Sequence, residues 1–336
     1  MQNTTRCRSV LITGGTGSFG SALARRLIQE NSTERVVIFS RDEWKQWQMR
    51  EADPLFQHPK VRFFLGDVRD LERLKRAFAD VDTVVHAAAL KQVPAAEYNP
   101  TEFIQTNVMG SMNVTTAALD TNVKNVIALS TDKAVNPINL YGATKLCADK
   151  LFIAANSYKG KRDRPLFSVV RYGNVLGSRG SLVPQWKSLI AKGAKKLPLT
   201  SDKMTRFWIT IDQTVTFVLS SLDVQQGGEI FVRKIPSVYI KDLAYALFGE
   251  IPFETIGIRP GEKIHETLIS KDDAMNVFEW RDHFRIVPSF PWQHSFPSLE
   301  ALGGKKVHDD FSLTSDTNPL LERSIDKIRL LVREKE

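Results

Sequence analysis

Cysteine is scarce in this chain. Its 336 residues hold two, Cys7 and Cys147, with no CxxC pair and no Cys/His ligand spacing. That excludes a disulfide framework and a zinc site as organising features, and no metal is expected. Two isolated thiols fit a reducing compartment, so a cytoplasmic protein is the expectation. Long apolar runs are also lacking: none approaches the roughly 18 residues of a membrane-spanning helix. The opening stretch MQNTTRCRS carries no apolar signal segment, and no membrane partner is expected. Internal repeats and low-complexity tracts are absent. An excess of acid is absent too. Lys plus Arg number 46 against 38 Asp plus Glu, a net charge of +8. Such a balance suits anionic partners or simply a solvated basic surface. The cations are dispersed and form no recognition-helix pattern, so no nucleic-acid partner is expected.

What is present is a rhythm of short apolar runs and amphipathic stretches. SVLIT, RVVIFS (35–40), VRFFLGD (61–67), VDTVVHAAA (81–89), VKNVIALST (123–131) and FSVVRYGNV (167–175) read as buried strands. Helical spacing separates them in SALARRLIQE, around Leu71–Ala79, over 101–120 and from Tyr141 to about Asn156. Strands alternating with helices mean βαβ units, hence an α/β fold with a doubly wound parallel sheet of the Rossmann type. Beyond Asn174, Pro184, Pro198, Pro236, Pro252 and Pro260 break the pattern. This predicts a dinucleotide-binding domain over 1–172, to which segments around 205–232 and 265–290 return. A smaller irregular substrate-binding domain is expected from 173–204, 233–264 and 291–336, over the carboxyl edge of the sheet.

TGGTGSFG (13–20) joins the first strand to the first helix. Gly14, Gly17 and Gly20 permit a tight turn and close approach of backbone to a pyrophosphate at the helix N-terminus, with Thr16, Ser18 and Phe19 between them. About 20 residues on, where an NAD site carries an acid, stand Ser40, Arg41 and Lys45. Cations complement a 2′-phosphate, so NADP is the expected cofactor, although Asp42 and Glu43 lie close by. Asp67 and Val68 suit an adenine contact. Ala87 and Ala88 offer small residues where the dinucleotide must pass, with Lys91 beyond them; Asn107, Tyr141 and Lys145 complete the expected cofactor contacts, and Asn107 could also brace the active-site helix.

STDKAVNPINLYGATK (130–145) carries the chemistry. Tyr141 and Lys145 are spaced i, i+4 on one helix face, where an ammonium would lower the phenol's pKa and make it a base for a sugar hydroxyl. Thr131 could hold the same oxygen. Asp132 and Lys133 are not needed for plain oxidation or for epimerisation at carbon 4. They read either as a solvated turn or as an elimination pair, Lys133 taking a proton and Asp132 giving one to departing water. The order of glycine loop, Thr, Tyr and Lys resembles the extended short-chain dehydrogenase/reductases.

TDKAVNPINLYGATK, RYGNVLGSRGSLVP (171–184), MTRFWIT (204–210) and IRPGEKIHETLIS (258–270) together resemble the inverting UDP-N-acetylglucosamine 4,6-dehydratases that open the pseudaminic acid pathway, over roughly residues 8 to 285. The resemblance implies catalytic Asp132, Lys133 and Tyr141 supported by Thr131 and Lys145, and a homo-oligomer. It implies substrate contacts from Lys91, Asn174, Val175, Arg179, Gly180, Ser181, Thr200, Arg206, Arg259 and Glu262 to a UDP-N-acetylhexosamine. Arg179, Arg206 and Arg259 could clamp the diphosphate. Retaining dehydratases, which have Met in place of Tyr141, and NADP-dependent 4-epimerases are the alternatives.

Overall fold

The structure, a computed structural model, describes residues 8–178, 180–290 and 298–333. Six strands, β1 (Ser9–Thr13), β2 (Arg35–Ser40), β3 (Val61–Leu65), β4 (Thr83–His86), β5 (Asn125–Leu129) and β6 (Leu166–Arg171), lie parallel in the order 3-2-1-4-5-6. That is the dinucleotide-binding order. β1, β5 and β6 are buried along almost their whole length, as uninterrupted apolar runs covered on both faces require. Ile230–Arg233 extends the sheet in parallel beyond β6, and His283–Ile286, Val277–Glu279 and Lys305–Lys306 add an antiparallel edge. Helix α1 (Ser18–Gln29) buries Phe19, Leu23, Ala24, Leu27 and Ile28 as one stripe and packs beside helix Ile211–Val224.

A second sheet pairs Asn174–Val175, Thr205–Ile209, Ser237–Tyr239 and Leu321–Glu322. It has its own core, with Trp186, Leu197, Met204, Trp208, Val238 and Leu243 buried together. The pairing departs from the sequence expectation in two places. Thr205–Ile209, expected with the first domain, pairs in the second sheet; the TRFWI run is buried along its whole length, which suits a strand of either sheet. Lys305–Lys306, expected with the second domain, instead lies at the edge of the large sheet. No helix among the described residues is long and apolar enough to cross a membrane.

β1 and β4 end at one pair of side chains. Thr13 Oγ1 lies 2.8 Å from His86 Nδ1 and accepts from the amides of Ala87 and Ala88. Burial, aided by the charge of Lys145, pushes the His86 imidazole down from 6.5 to about 3. A depressed histidine stabilises the fold above its unfolded value of 6.5, and that stabilisation is lost as pH falls from there toward 3. Urea unfolding should therefore show a loss of roughly 3 kcal/mol between pH 7 and pH 4.5 from this residue. In His86→Asn that part of the slope should vanish. An unchanged slope would show that His86 does not govern acid lability.

Candidate active site

A cavity of about 740 Å³ opens along the carboxyl ends of the parallel strands. Its floor at one end is the 13–20 loop: Gly14, Thr16, Gly17, Ser18, Phe19 and Gly20 all line it. Gly14 has φ +64°, and a Cβ there would meet the Ala88 backbone at 2.9 Å. The loop thus lies directly on the turn after β4. Gly17 caps α1 without a side-chain hydrogen bond, so the helix presents its N-terminal end to the cavity. Ser40, Arg41, Lys45, Asp67 and Val68 line the far end, and Ala87, Ala88 and Lys91 the middle. Uncapped amides, a glycine cradle and a cleft of this size fit an extended dinucleotide. At the far end Asp42 is already committed: its carboxylate caps helix α2 (Glu43–Ala52) through the Lys45 amide and pairs with Lys45 Nζ at 2.8 Å. Arg41 is half exposed, 3.5 Å from Asp67.

Thr131, Lys133, Tyr141 and Lys145 meet at the other end, with Asn174, Val175, Gly180 and Ser181 across the cleft. They converge because helix Leu140–Ala155, capped by the Asn139 side chain, packs directly on the turn Asp132–Ala134. A Cβ on Gly142 would sit 2.2 Å from the Lys133 carbonyl oxygen, so glycine makes that contact possible.

Charge is distributed differently from the simple tyrosine–lysine picture. Lys145 Nζ donates to the Leu129 carbonyl at 2.7 Å. Burial raises the Tyr141 phenol to about 12, and the cation that most opposes this is Lys133. The expectation that Lys145 lowers the phenol's pKa is corrected: in this geometry desolvation outweighs every nearby cation. Thr131 hydrogen-bonds the phenol. The neutral lysine base considered from sequence also needs correction. Burial favours the amine, but Asp132 and Glu266 outweigh it and hold Lys133 above its ordinary value. Its Nζ lies 3.0 Å from Asp132 Oδ1 and 3.2 Å from Glu266 Oε1. Asp132 does not line the cavity; it is wholly buried behind Lys133.

Several expected ligand contacts sit elsewhere. Asn107 is buried, exchanging hydrogen bonds with Leu90 and donating to Thr144 Oγ1 at 3.0 Å. It braces the helix and has no donor left for a cofactor. The Arg206 clamp is also corrected. Its terminal nitrogens donate to the carbonyls of Thr205, Ile264 and Lys263, so the guanidinium is spent on backbone. Arg259, Glu262 and Thr200 lie outside the cavity lining and bind one another, Arg259 gripping Glu262 at 2.8 and 3.1 Å. Arg179 lies outside the described residues.

Four residues were missed. Glu266 and Tyr172 come from distant segments, and neither has a spacing that marks it. Asp149 and Arg171 are buried behind Lys145, with Ser130 donating to Asp149 at 2.8 Å and Arg171 lying 3.4 Å from it. Asp149 continues the i, i+4 row of Tyr141 and Lys145, a signal available in the sequence. Among the described residues no group of three or more His, Cys, Asp or Glu side chains could hold a metal.

Comparison with known proteins agrees with this architecture. Residues 10–288 match the family model described as polysaccharide biosynthesis protein. A protein of Campylobacter jejuni subsp. jejuni serotype O:2 named UDP-N-acetylglucosamine 4,6-dehydratase (inverting) is 52% identical over 318 residues, covering 93% of this chain and 94% of that one. A Rickettsia canadensis protein named UDP-glucose 4-epimerase is 43% identical, covering 83% and 82%. The X-ray structure of Pen from Bacillus thuringiensis superposes with a TM-score of 0.88 at 34% identity, over 98% of both chains. With most of both sheets inside the matched region and 52% identity to a relative aligned over 93% of this chain, the chain belongs to the polysaccharide biosynthesis protein family.

Proposed function

We propose that this protein is an NADP-dependent UDP-N-acetylglucosamine 4,6-dehydratase that inverts carbon 5. The observation that carries the reading is the Asp132–Lys133 pair, hydrogen-bonded at 3.0 Å and set beside Tyr141 at the end of a dinucleotide-sized cleft. The relative from Campylobacter jejuni bears the matching name. The 4-epimerase name of the Rickettsia relative fits the same cleft and phenol, but carbon-4 epimerisation has no use for a buried acid–base pair.

Bound in the cleft, the nicotinamide would take the hydride of carbon 4 and give it back at carbon 6. Tyr141, polarised by Thr131, accepts the proton of the carbon-4 hydroxyl. An oxidised nicotinamide, held in the cleft by the 13–20 loop and the turn at Ala87 and Ala88, would supply positive charge there, which would offset part of the desolvation that holds the phenol neutral. The new ketone makes the carbon-5 hydrogen acidic, because its loss gives an enolate. Asp132 and Lys133 then act as one unit. Shifting one proton from Nζ to Oδ1 turns an ion pair into an amine and a carboxylic acid, with no proton drawn from solvent. The amine takes the carbon-5 proton, and the carbon-6 hydroxyl leaves as water with a proton relayed from buried Asp132 through Thr131, which lines the cavity with its hydroxyl 2.9 Å from Asp132 Oδ1. The pair ends as ammonium and carboxylate, and Tyr141 gives the proton it took from the carbon-4 hydroxyl, exchangeable with solvent, to the opposite face of carbon 5 and is a phenolate again. Substrate thus becomes 4-keto-6-deoxy sugar plus water, and the cofactor is unchanged overall.

With UDP-N-acetylglucosamine in deuterium oxide, mass spectrometry should find loss of water. NMR of the early product should find one deuterium at inverted carbon 5 and none at carbon 6. Retained configuration would remove the inverting assignment, and solvent deuterium at carbon 6 would remove the internal return.

At the far end of the cleft, Arg41→Ala should weaken NADP by about 1.5–3 kcal/mol, the worth of hydrogen bonds to a charged group, and weaken NAD far less. Equal weakening in calorimetry would contradict the assignment of Arg41 to a 2′-phosphate.

Without cofactor, the ultraviolet difference between wild type and Tyr141→Phe should titrate near 12 and not near the ordinary 10. Saturating oxidised cofactor should move it downward. A cofactor-free midpoint at or below 10 would contradict the buried, neutral phenol.

A further inference from the structure

We infer that Arg69 is a positioning residue for cofactor choice: it saturates the Asp67 carboxylate and so leaves Arg41 free for a 2′-phosphate. The inference rests on the NADP reading above.

Asp67 stands two residues beyond β3 and lines the far end of the cleft with Arg41, Asp42 and Lys45. Two bare carboxylates there would repel a phosphate. Each has a cation of its own. Asp42 pairs with Lys45 at 2.8 Å. Asp67 pairs with Arg69, which lies outside the cavity lining. Arg69 Nε and Nη2 both donate to Asp67 Oδ2, at 3.1 and 2.9 Å, and the Arg69 amide donates to Oδ1 at 3.0 Å. A carboxylate oxygen has about two acceptor sites, so the guanidinium fork takes both on Oδ2. Arg41 Nη1 stops 3.5 Å from that same oxygen, and half of its side chain stays exposed. Of the cations at this end, Lys45 and Arg69 are taken up by the two carboxylates, and Arg41 is the one left for a ligand.

Arg69 is itself held from the other side. Its Nη1 donates to Glu102 Oε2 at 3.0 Å, on helix Pro100–Phe103. The fork is thus gripped at both ends and cannot swing away from Asp67. Without it, the sites on Oδ2 would open, and Arg41 would be the nearest cation to fill them. A guanidinium so engaged no longer presents its donors to a phosphate, and the phosphate would meet a carboxylate with one cation fewer around it. NAD has a hydroxyl where NADP has the 2′-phosphate, so its binding does not depend on that fork. Arg69 therefore acts on the choice between the two without touching either.

The test titrates the full-length protein with NADP and with NAD by calorimetry. Wild type is compared with Arg69→Ala, Arg69→Lys, Asp67→Asn and the double variant Asp67→Asn/Arg69→Ala. Circular dichroism and thermal unfolding establish that each is folded. The readout is the ratio of NADP to NAD affinity, which a uniform change in the adenine contacts does not move. Arg69→Ala should lower this ratio about tenfold, the lower end of what loss of a charge-assisted hydrogen bond brings. Arg69→Lys should fall between, because an ammonium is a point donor without the planar fork. With Asp67 neutral, Arg69 has no charge to cover. The double variant should therefore keep the ratio within about threefold of Asp67→Asn alone, a rescue of the single Arg69 variant. A tenfold loss that persists in the Asp67→Asn background would mean that Arg69 attracts the phosphate by its own charge. Equal weakening of NADP and NAD by Arg69→Ala would mean a merely structural part. Either result, or an unchanged ratio in Arg69→Ala, overturns the inference. If wild type does not prefer NADP, the NADP reading is what fails, and the inference falls with it.

Discussion

The centre of this structure is an ammonium at the cavity wall, backed by two buried carboxylates. Lys133 is fixed between Asp132 and Glu266, with the Arg206 guanidinium behind them. Isolated charges would not persist at such a depth. Two acids and two bases with no net charge can, and their mutual attraction in a poorly polarisable surrounding sets how easily any one proton moves. The helix carrying Tyr141 must sit on this turn, which is why Gly142 faces the Lys133 carbonyl. The loop before Glu266 must reach back across the sheet edge to complete it.

The dinucleotide end obeys another rule. There the chain offers backbone and empty space: uncapped amides at the start of α1 and a glycine pressed on the turn after β4. The Thr13–His86 contact ties the ends of two adjacent strands, so that loop and turn keep their spacing. One end of the cleft thus works with fixed dipoles and the other with mobile protons, and the parallel strands hold the two in register.

Much of this was legible in the sequence. The six buried strands declared themselves as apolar runs, and the glycine loop and the Tyr141–Lys145 row followed from spacing. What stayed hidden depends on where a returning chain lands. Nothing in KIHETL marks Glu266, because its meaning comes from lying 3.2 Å from a lysine 133 positions earlier. Arg206 looked like a phosphate ligand because an arginine in a family motif invites that reading, yet carbonyls claim its terminal nitrogens. The phenol's acidity was misread for a related reason. Spacing gives which cation shares a helix face but not how much water the fold removes.

The pinning of Glu266 by Ser315 has a consequence for how the protein comes into being. On a ribosome the chain emerges in order, and all six strands of the dinucleotide order are complete by Arg171. Asp132, Lys133 and Tyr141 are by then also outside. The segment that anchors Glu266 arrives 144 residues after Arg171, since Ser315 is the residue its backbone holds. Cofactor-binding parts and proton-controlling parts are therefore separated in time, and Glu266 comes to rest against Lys133 only after the six strands have been made.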